Sequence, residues 1–424
     1  MSTTKHRARH YLEAILASFD QAAITERLAP KTEPPYRRLP RDHKLNAEAV
    51  QARWEYLAAS AACRDNLFDG QTREQMARYE RNIENFIGTV KLPVGLAGPL
   101  RVNGLFAQGD YLLPLATTEA ALVASYNRGA QLISKAGGCS AVLLNQGVNR
   151  APGFAFKDLN QAGQFVMWAM ANQEIFKQVA EATTAHGKWL DMRVTVEGNH
   201  VYLNFEYSTG DASGQNMVTI ATDAVCAYII EHAPIKPAYH FVEANLSGDK
   251  KASAQSFLSV RGKKVSAEVQ LERKLVERML HTTPEHMVNY WRMSAIGGVL
   301  SGTIGVQGHY ANGLAALYIA CGQDAACVAE SSVGVTRFEV NEEGGLYAAV
   351  SLPNLMLGTV GGGTGLPSQR ACLEIMGLAG AGHAPALAEV CAGMALAGEL
   401  SIIGALAAGH FTRAHQSLAR GPKA

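Results

Sequence analysis

The chain has 424 residues, of which 48% are apolar and 18% charged, and its net charge is +1. That length is enough for two or three domains with a large buried core, while so even a charge balance gives no reason to expect nucleic acid, whose binding needs a concentrated basic surface. Seven scattered cysteines with no CxxC pair imply neither a disulfide framework nor a zinc knuckle; they read as small thiols in a reducing, cytoplasmic setting.

In chain order, residues 10–28 and 46–63 carry Leu, Ile, Ala, Val and Trp54 at helical spacing, and the segment APKTEPPYRRLPRDHKLN between them holds four prolines that disfavour regular structure. A helical N-terminal region over 1–63 follows from this. The first residues are basic and amphipathic, with no continuous apolar run before a small-residue cleavage site. From Gly153 the pattern predicts a short strand in GFAFK, a long helix over 158–184 capped by Asp158, two alternating strands (188–198 and 200–209), a helix over 213–233 and a strand in KPAYHFVEA. Strand, helix, strand, strand, helix, strand is the order of a ferredoxin-like sandwich. It is inserted over 152–244 and divides a larger mixed domain into 64–151 and 245–424. Ala- and Gly-rich helices are predicted over 273–281, 288–303 and 385–417. The stretch from Val390 is the most apolar, but Glu399 interrupts it, which suits tight helix packing better than a membrane span.

Four polar residues stand in small, apolar surroundings: Glu119 in LATTEAALVAS, Lys250 in SGDKKAS, Asp324 in IACGQDAA and His415 in LAAGHFTRAH. Burying such groups costs several kcal/mol unless they pair with one another or with a ligand. GDASGQNM, from Gly210, lies where a strand gives way to a helix, so free N–H groups and the helix dipole can face a pyrophosphate; an ordinary capped turn is the plainer reading. GTVGGGTG, from Gly358, lacks the βαβ context of a Rossmann fingerprint and reads equally as a tight packing turn or as a nest of donors.

ENFIGTVKLPVGLAGPL from Glu84, the Glu119 stretch, GDASGQNM, DKK from Asp249 and GTVGGGTG occur in an order and wording that resemble 3-hydroxy-3-methylglutaryl-CoA reductases, most nearly the class I form, over about residues 84–415. The resemblance implies an α+β fold whose large domain is built around a long central helix. It implies two hydride transfers from NADPH that reduce 3-hydroxy-3-methylglutaryl-CoA to mevalonate and CoA. Lys250 would polarise the carbonyl, Glu119 donate a proton, Asp324 tune both and His415, rather than nearby His410, protonate the CoA thiolate. Arg150, Asn245, Lys251 and Asn312 match substrate positions, and Arg150 could hold the substrate carboxylate in a bidentate fork. Asp211, Ala212, Gly214, Gln215 and Asn216 match the dinucleotide segment. A homodimer or dimer of dimers is implied, with ENFIG-like segments at the contact and a site drawing on both chains; no nucleic acid and no membrane partner is expected.

The wording departs from the class I pattern in places. Glu243 stands where serine is common, Ala252 replaces proline after DKK, CVAE (327–330) replaces a QN-containing stretch, and Gln416 follows His415 where an apolar residue is usual. An inward-pointing Glu243 would repel an anionic substrate. Ala185 takes the place of a basic residue that would hold the 2′-phosphate of NADPH; His186 or Lys188 is near enough to replace it, and NADH stays open. The alternatives are an NAD-dependent member working oxidatively, a paralogue with another acyl-CoA, and a non-catalytic binding protein using the ferredoxin-like layer.

Overall fold

The computed structural model describes residues 4–31, 33, 37–40 and 45–409. They form two compact units, which divide between Thr89 and Val90.

The first unit is helical. Thr4, Asp20, Asn46, Ser60 and Asp69 each accept a backbone N–H at a helix start, which satisfies one of the donors a helix leaves orphaned. These caps also explain why the two predicted helices are four: Lys5–Ser18 breaks before Gln21–Leu28 at Asp20, and Ala47–Leu57 breaks before Ala61–Leu67 at Ser60. The unit extends past residue 63, because Val50 and Trp54 pack with Phe68 and Phe86 in one small core. Trp54 donates its indole N–H to the Ile87 carbonyl (3.0 Å), and buried Arg53 donates to that of Phe86 (2.9 Å). The expected boundary at 63 therefore moves to Thr89.

The second unit carries eleven strands: β1 Val94–Gly104, β2 Gln108–Ala116, β3 Cys139–Arg150, β4 Gly153–Ala155, β5 Lys188–Glu197, β6 His200–Ser208, β7 Tyr239–Phe241, β8 Gly262–Leu271, β9 Gly305–Val306, β10 Gly334–Val340 and β11 Leu346–Leu355. Most pairings are antiparallel, and the main path runs β7-β4-β6-β3-β8-β11-β10-β9. Strand β3 joins two layers. Its Ser140–Gly147 part pairs with β8, and its last residues, Val148–Arg150, pair with β6, so Arg150 arrives at the junction.

On one side of that junction, β7-β4-β6-β5 lie in that order, with Phe165, Phe176, Trp189, Phe205 and Tyr207 in the core. Asp158 caps the first helix of this layer as expected, but the predicted long helix is two, Leu159–Ala171 and Gln173–Glu181, parted at Asn172.

On the other side the helix Ala384–Ala407 runs through the core, and most of it is buried inside the protein. Length and composition alone would let it cross a membrane; here it is the core helix. Small residues allow its close packing: a Cβ on Gly129 would lie 1.9 Å from the Ala397 carbonyl oxygen. Its two glutamates are wholly buried, and each is satisfied by fixed donors. Glu389 accepts the N–H groups of Leu105, Phe106, Ala107 and Leu143 at 2.8–3.2 Å. Glu399 accepts those of Gly308 and His309 and the Thr336 hydroxyl at 2.7–2.9 Å. The predicted helix over 385–417 ends at Ala407; residues from 410 on, His415 among them, lie outside the described ones.

Candidate active site

Lys250 sits in a tight turn, its backbone at φ +57°, a left-handed conformation uncommon for a residue with a side chain. Its ammonium donates to Asp324 Oδ2 at 3.0 Å. Asp324 follows the helix Tyr310–Ala320 and caps the next turn by accepting the Ala326 N–H at 3.0 Å. The bond to Asp324 moves the lysine above its usual range, against a smaller effect of burial. Burial pushes the Asp324 carboxyl up, but the Lys250 and Ala326 bonds outweigh it and hold the group below the ordinary carboxylate range. Both partners are therefore charged at neutral pH. Gln215 reaches the same place, donating to Asp324 Oδ2 (3.5 Å) and Cys327 Sγ (3.0 Å).

Glu119 lies elsewhere. Asn312 donates to both of its oxygens at 3.0 and 3.2 Å, and the two line a cavity of about 410 Å³ with Leu122, Arg128, His309 and Leu406. Asn312 is in the first turn of Tyr310–Ala320 and Asp324 lies beyond its last turn. About 12 Å of helix rise separates Asn312 from Ala320. Among the described residues, no hydrogen bond joins Glu119 to Lys250 or Asp324. Within one chain Glu119 and the Lys250–Asp324 pair thus lie at opposite ends of one helix, and the expected contact of Asp324 with Glu119 is not made.

Arg150 differs from expectation too. Its guanidinium is buried; Nη1 donates to Asp249 (2.8 Å) and Glu243 (3.4 Å), and Nη2 to the Gln215 carbonyl (3.4 Å). In this structure the two terminal nitrogens face Asp249, Glu243 and the Gln215 carbonyl, while Nε is buried without a hydrogen-bond partner among the described residues. Glu243 is tied off by the same geometry. It accepts the N–H groups of Ala151 (3.3 Å) and Asn245 (2.7 Å) besides Arg150, and so fixes Asn245 in its own left-handed backbone. Lys251 turns back to donate to the Asp249 carbonyl at 2.9 Å.

The GDASGQNM segment divides its labour. Asp211 accepts the Gly382 and Ala384 N–H groups (2.7 and 3.1 Å) at the start of the core helix, and its carbonyl accepts from Thr359 at 2.8 Å. Ala212 forms a bridge with Val360, which joins this segment to GTVGGGTG. Gly214 begins the helix Gln215–His232 at φ +77° without a side-chain cap, and a Cβ there would lie 2.2 Å from Thr209 Cγ2. An uncapped start of an 18-residue helix, carrying Gln215 and Asn216 in its first turn, leaves backbone N–H groups and the dipole to face an anion. A dinucleotide pyrophosphate fits such a donor set. Lys188 is paired with Glu181 at 3.3 Å.

Sequence reasoning missed Arg261 and Glu330, both buried, which pair at 2.6 Å directly behind Lys250. The only signal was a glutamate where CVAE departs from the family wording.

Residues 49–420 match the family described as hydroxymethylglutaryl-coenzyme A reductase. The chain belongs to that family. The 3-hydroxy-3-methylglutaryl-coenzyme A reductase of Pyrococcus horikoshii is 44% identical over 348 residues, covering 80% of this chain and 84% of its own. That of Aeropyrum pernix is 45% identical over 350 residues, covering 81% and 83%. Among solved structures, the class II 3-hydroxy-3-methylglutaryl-CoA reductase from Streptococcus pneumoniae bound to NADPH in open conformations aligns with a TM-score of 0.64. It is 19% identical and covers 84% of this chain and 96% of its own, a likeness that carries the mixed α/β fold with its antiparallel sheet. These matches establish a hydroxymethylglutaryl-CoA reductase, an oxidoreductase of the mevalonate pathway; none of them supports the narrower class I-like expectation.

Proposed function

We propose that the protein reduces 3-hydroxy-3-methylglutaryl-CoA to mevalonate and CoA with NADPH, at a site completed by a second copy of the chain. The observation that carries this is the Lys250–Asp324 ion pair, a charged ammonium on a strained turn beside the uncapped helix start at Gly214. Lys250 donates to the oxyanion that forms as the thioester carbonyl is attacked, and Asp324 keeps it protonated and aimed; one well-placed donor of this kind is worth about 10² to 10³ in rate. Glu119, oriented by Asn312, donates the proton to that oxygen. His415 protonates the departing thiolate. Two NADPH molecules, bound in turn, would each supply one hydride, with Gly214, Gln215 and Asn216 at the pyrophosphate and His186 or Lys188 close in sequence to Ala185, the position expected to meet the 2′-phosphate.

The separation of the half-sites supports the homodimer, since a partner's Glu119 half-site can meet this chain's Lys250 half-site across an interface. So does an exposed apolar stripe on the helix Pro284–Ser301, where Met293, Ile296, Val299 and Leu300 are 63–83% exposed. We read the β7-β4-β6-β5 layer, residues 152–244, as the ferredoxin-like dinucleotide-binding domain within a larger domain that resumes at 245. The free thiols, six of them buried, support a cytoplasmic setting.

The test is complementation. Glu119→Gln and Lys250→Ala proteins, each inactive alone in NADPH oxidation, should recover partial turnover when unfolded and refolded together. No recovery in the mixture, with mixed dimers present, would place all the chemistry within one chain.

A further inference from the structure

Lys250 needs more than Asp324 to stay where it is. A left-handed backbone at a residue with a Cβ is costly and persists only where the surroundings over-determine it. Here the surroundings are a buried cluster. The Lys250 N–H donates to Glu330 Oε1 at 3.3 Å. Glu330 Oε2 accepts from Arg261 Nε at 2.6 Å, and Arg261 Nη2 donates in turn to Asp249 Oδ1. The third nitrogen of Arg261, Nη1, donates to the Asn149 carbonyl at 2.7 Å, and its backbone N–H donates to Asn354 Oδ1 at 2.9 Å. The residue before Lys250 and the peptide N–H of Lys250 itself are thus tied to one guanidinium, which the end of β3 holds from behind.

Asp324 and Glu330 belong to one short stretch, a 3-10 turn Ala325–Cys327 running into the helical turn Val328–Ser331. One end of this stretch holds the ammonium of Lys250 and the other holds its backbone. We propose that Glu330 and Arg261 are positioning residues for Lys250, a buried clamp that fixes the turn from which the ammonium reaches the reacting carbonyl. The proposal rests on the reading of Lys250 as the oxyanion donor. A pair serving the fold alone would have no reason to spend one carboxylate oxygen on the peptide N–H of the reactive lysine. Removing one partner of a buried pair strands the other charge, so stability must be read apart from rate.

The experiment compares Glu330→Ala, Glu330→Gln, Arg261→Lys and Lys250→Ala in the full chain. Each is read for kcat and both KM values with 3-hydroxy-3-methylglutaryl-CoA and NADPH, for Tm, and for backbone amide exchange in the peptide from Gly248 to Ser253. Glu330→Ala is expected to expose that peptide to exchange and to lower kcat about 10- to 100-fold, with both KM values held within about twofold. Glu330→Gln, whose amide oxygen can accept from the Lys250 N–H while its NH2 then faces the Arg261 Nε–H, is expected to recover only part of the protection and rate. Should Glu330→Ala not fold, Arg261→Lys carries the same expectation, because an ammonium cannot span Asp249, Glu330 and Asn149 together. A lower Tm with unchanged kcat and unchanged exchange in these variants would overturn the clamp and leave the site standing. Turnover that survives Lys250→Ala would overturn the site reading and the clamp with it.

Discussion

The core helix and the Lys250 turn both bury carboxylates, but they satisfy them differently. Glu389 meets four backbone N–H groups, three from the turn between β1 and β2 and one from β3, whereas Glu330 and Asp249 meet the guanidinium of Arg261. Backbone donors are fixed by the sheet, so Glu389 works as a hub that ties the helix to the strands. Guanidinium donors sit on a long side chain and can be aimed, so Arg261 ties together loops with no ladder of their own. The first arrangement serves the fold, and the second holds a reactive lysine in a backbone conformation it would otherwise leave.

The largest effect should come from the hub. Glu389→Leu strands four N–H groups, at about 1–3 kcal/mol for each buried group left unsatisfied, and should lower stability by about 4 kcal/mol or more in chemical denaturation, while any folded fraction keeps its kcat. Lost rate with unchanged stability would erase the distinction between the two regions.

A buried cation that lacks a carboxylate gives the contrasting case. Lys263, in β8, is 3% exposed and donates to the Leu357 carbonyl at 3.1 Å; burial depresses its pKa from 10.5 to about 8, with Asp211 acting in the opposite sense. Between those values the unfolded chain binds more protons than the folded one, so stability rises with pH across that window, by up to about 3 kcal/mol. Lys263→Met should remove that rise when denaturation midpoints are compared from pH 7 to 10. A slope that persists in the variant would assign it to another group.

In the turn itself, Asp249→Asn keeps the shape but weakens two guanidinium contacts. Burial raises the Asp249 carboxyl, yet Arg261 and Arg150 hold it below the usual range, so its contribution to stability is present above the ordinary carboxylate range and is lost as pH falls through the depressed value. The substitution should lower kcat by about 10- to 100-fold with little change in affinity for NADPH by fluorescence titration. The smallest effect belongs to Lys188→Ala. Lys188 is an exposed residue paired with Glu181, and its loss should narrow the preference for NADPH over NADH by about fivefold, the scale of one surface charge contact.

Much of the fold was legible because its signals are local. Asp158 as a cap, alternation in 188–198 and 200–209, and the Ala- and Gly-rich pattern after 384 each reflect short-range physics. Helix breaks at Asp20, Ser60 and Asn172 were also local, yet apolar spacing on either side masked them. At the site, Lys250 and Asp324 could be named from motif wording, and the structure pairs them. Their clamp could not be: Arg261 lies 69 residues before Glu330, and such a partnership leaves no periodicity. Arg150's contacts were hidden for the same reason, since Asp249 and Glu243 lie 99 and 93 residues away. The distance between Glu119 and Lys250 follows from the course of one helix, which motif order does not encode.

The most direct measurement follows the loss of NADPH absorbance with 3-hydroxy-3-methylglutaryl-CoA for the native protein and for Lys250→Ala matched for folded fraction. Turnover by the native protein that falls about 10²-fold or more in the variant is the predicted result. Equal turnover in the two proteins would contradict the account, because the ammonium held by Asp324 would then not be the group that meets the reacting carbonyl.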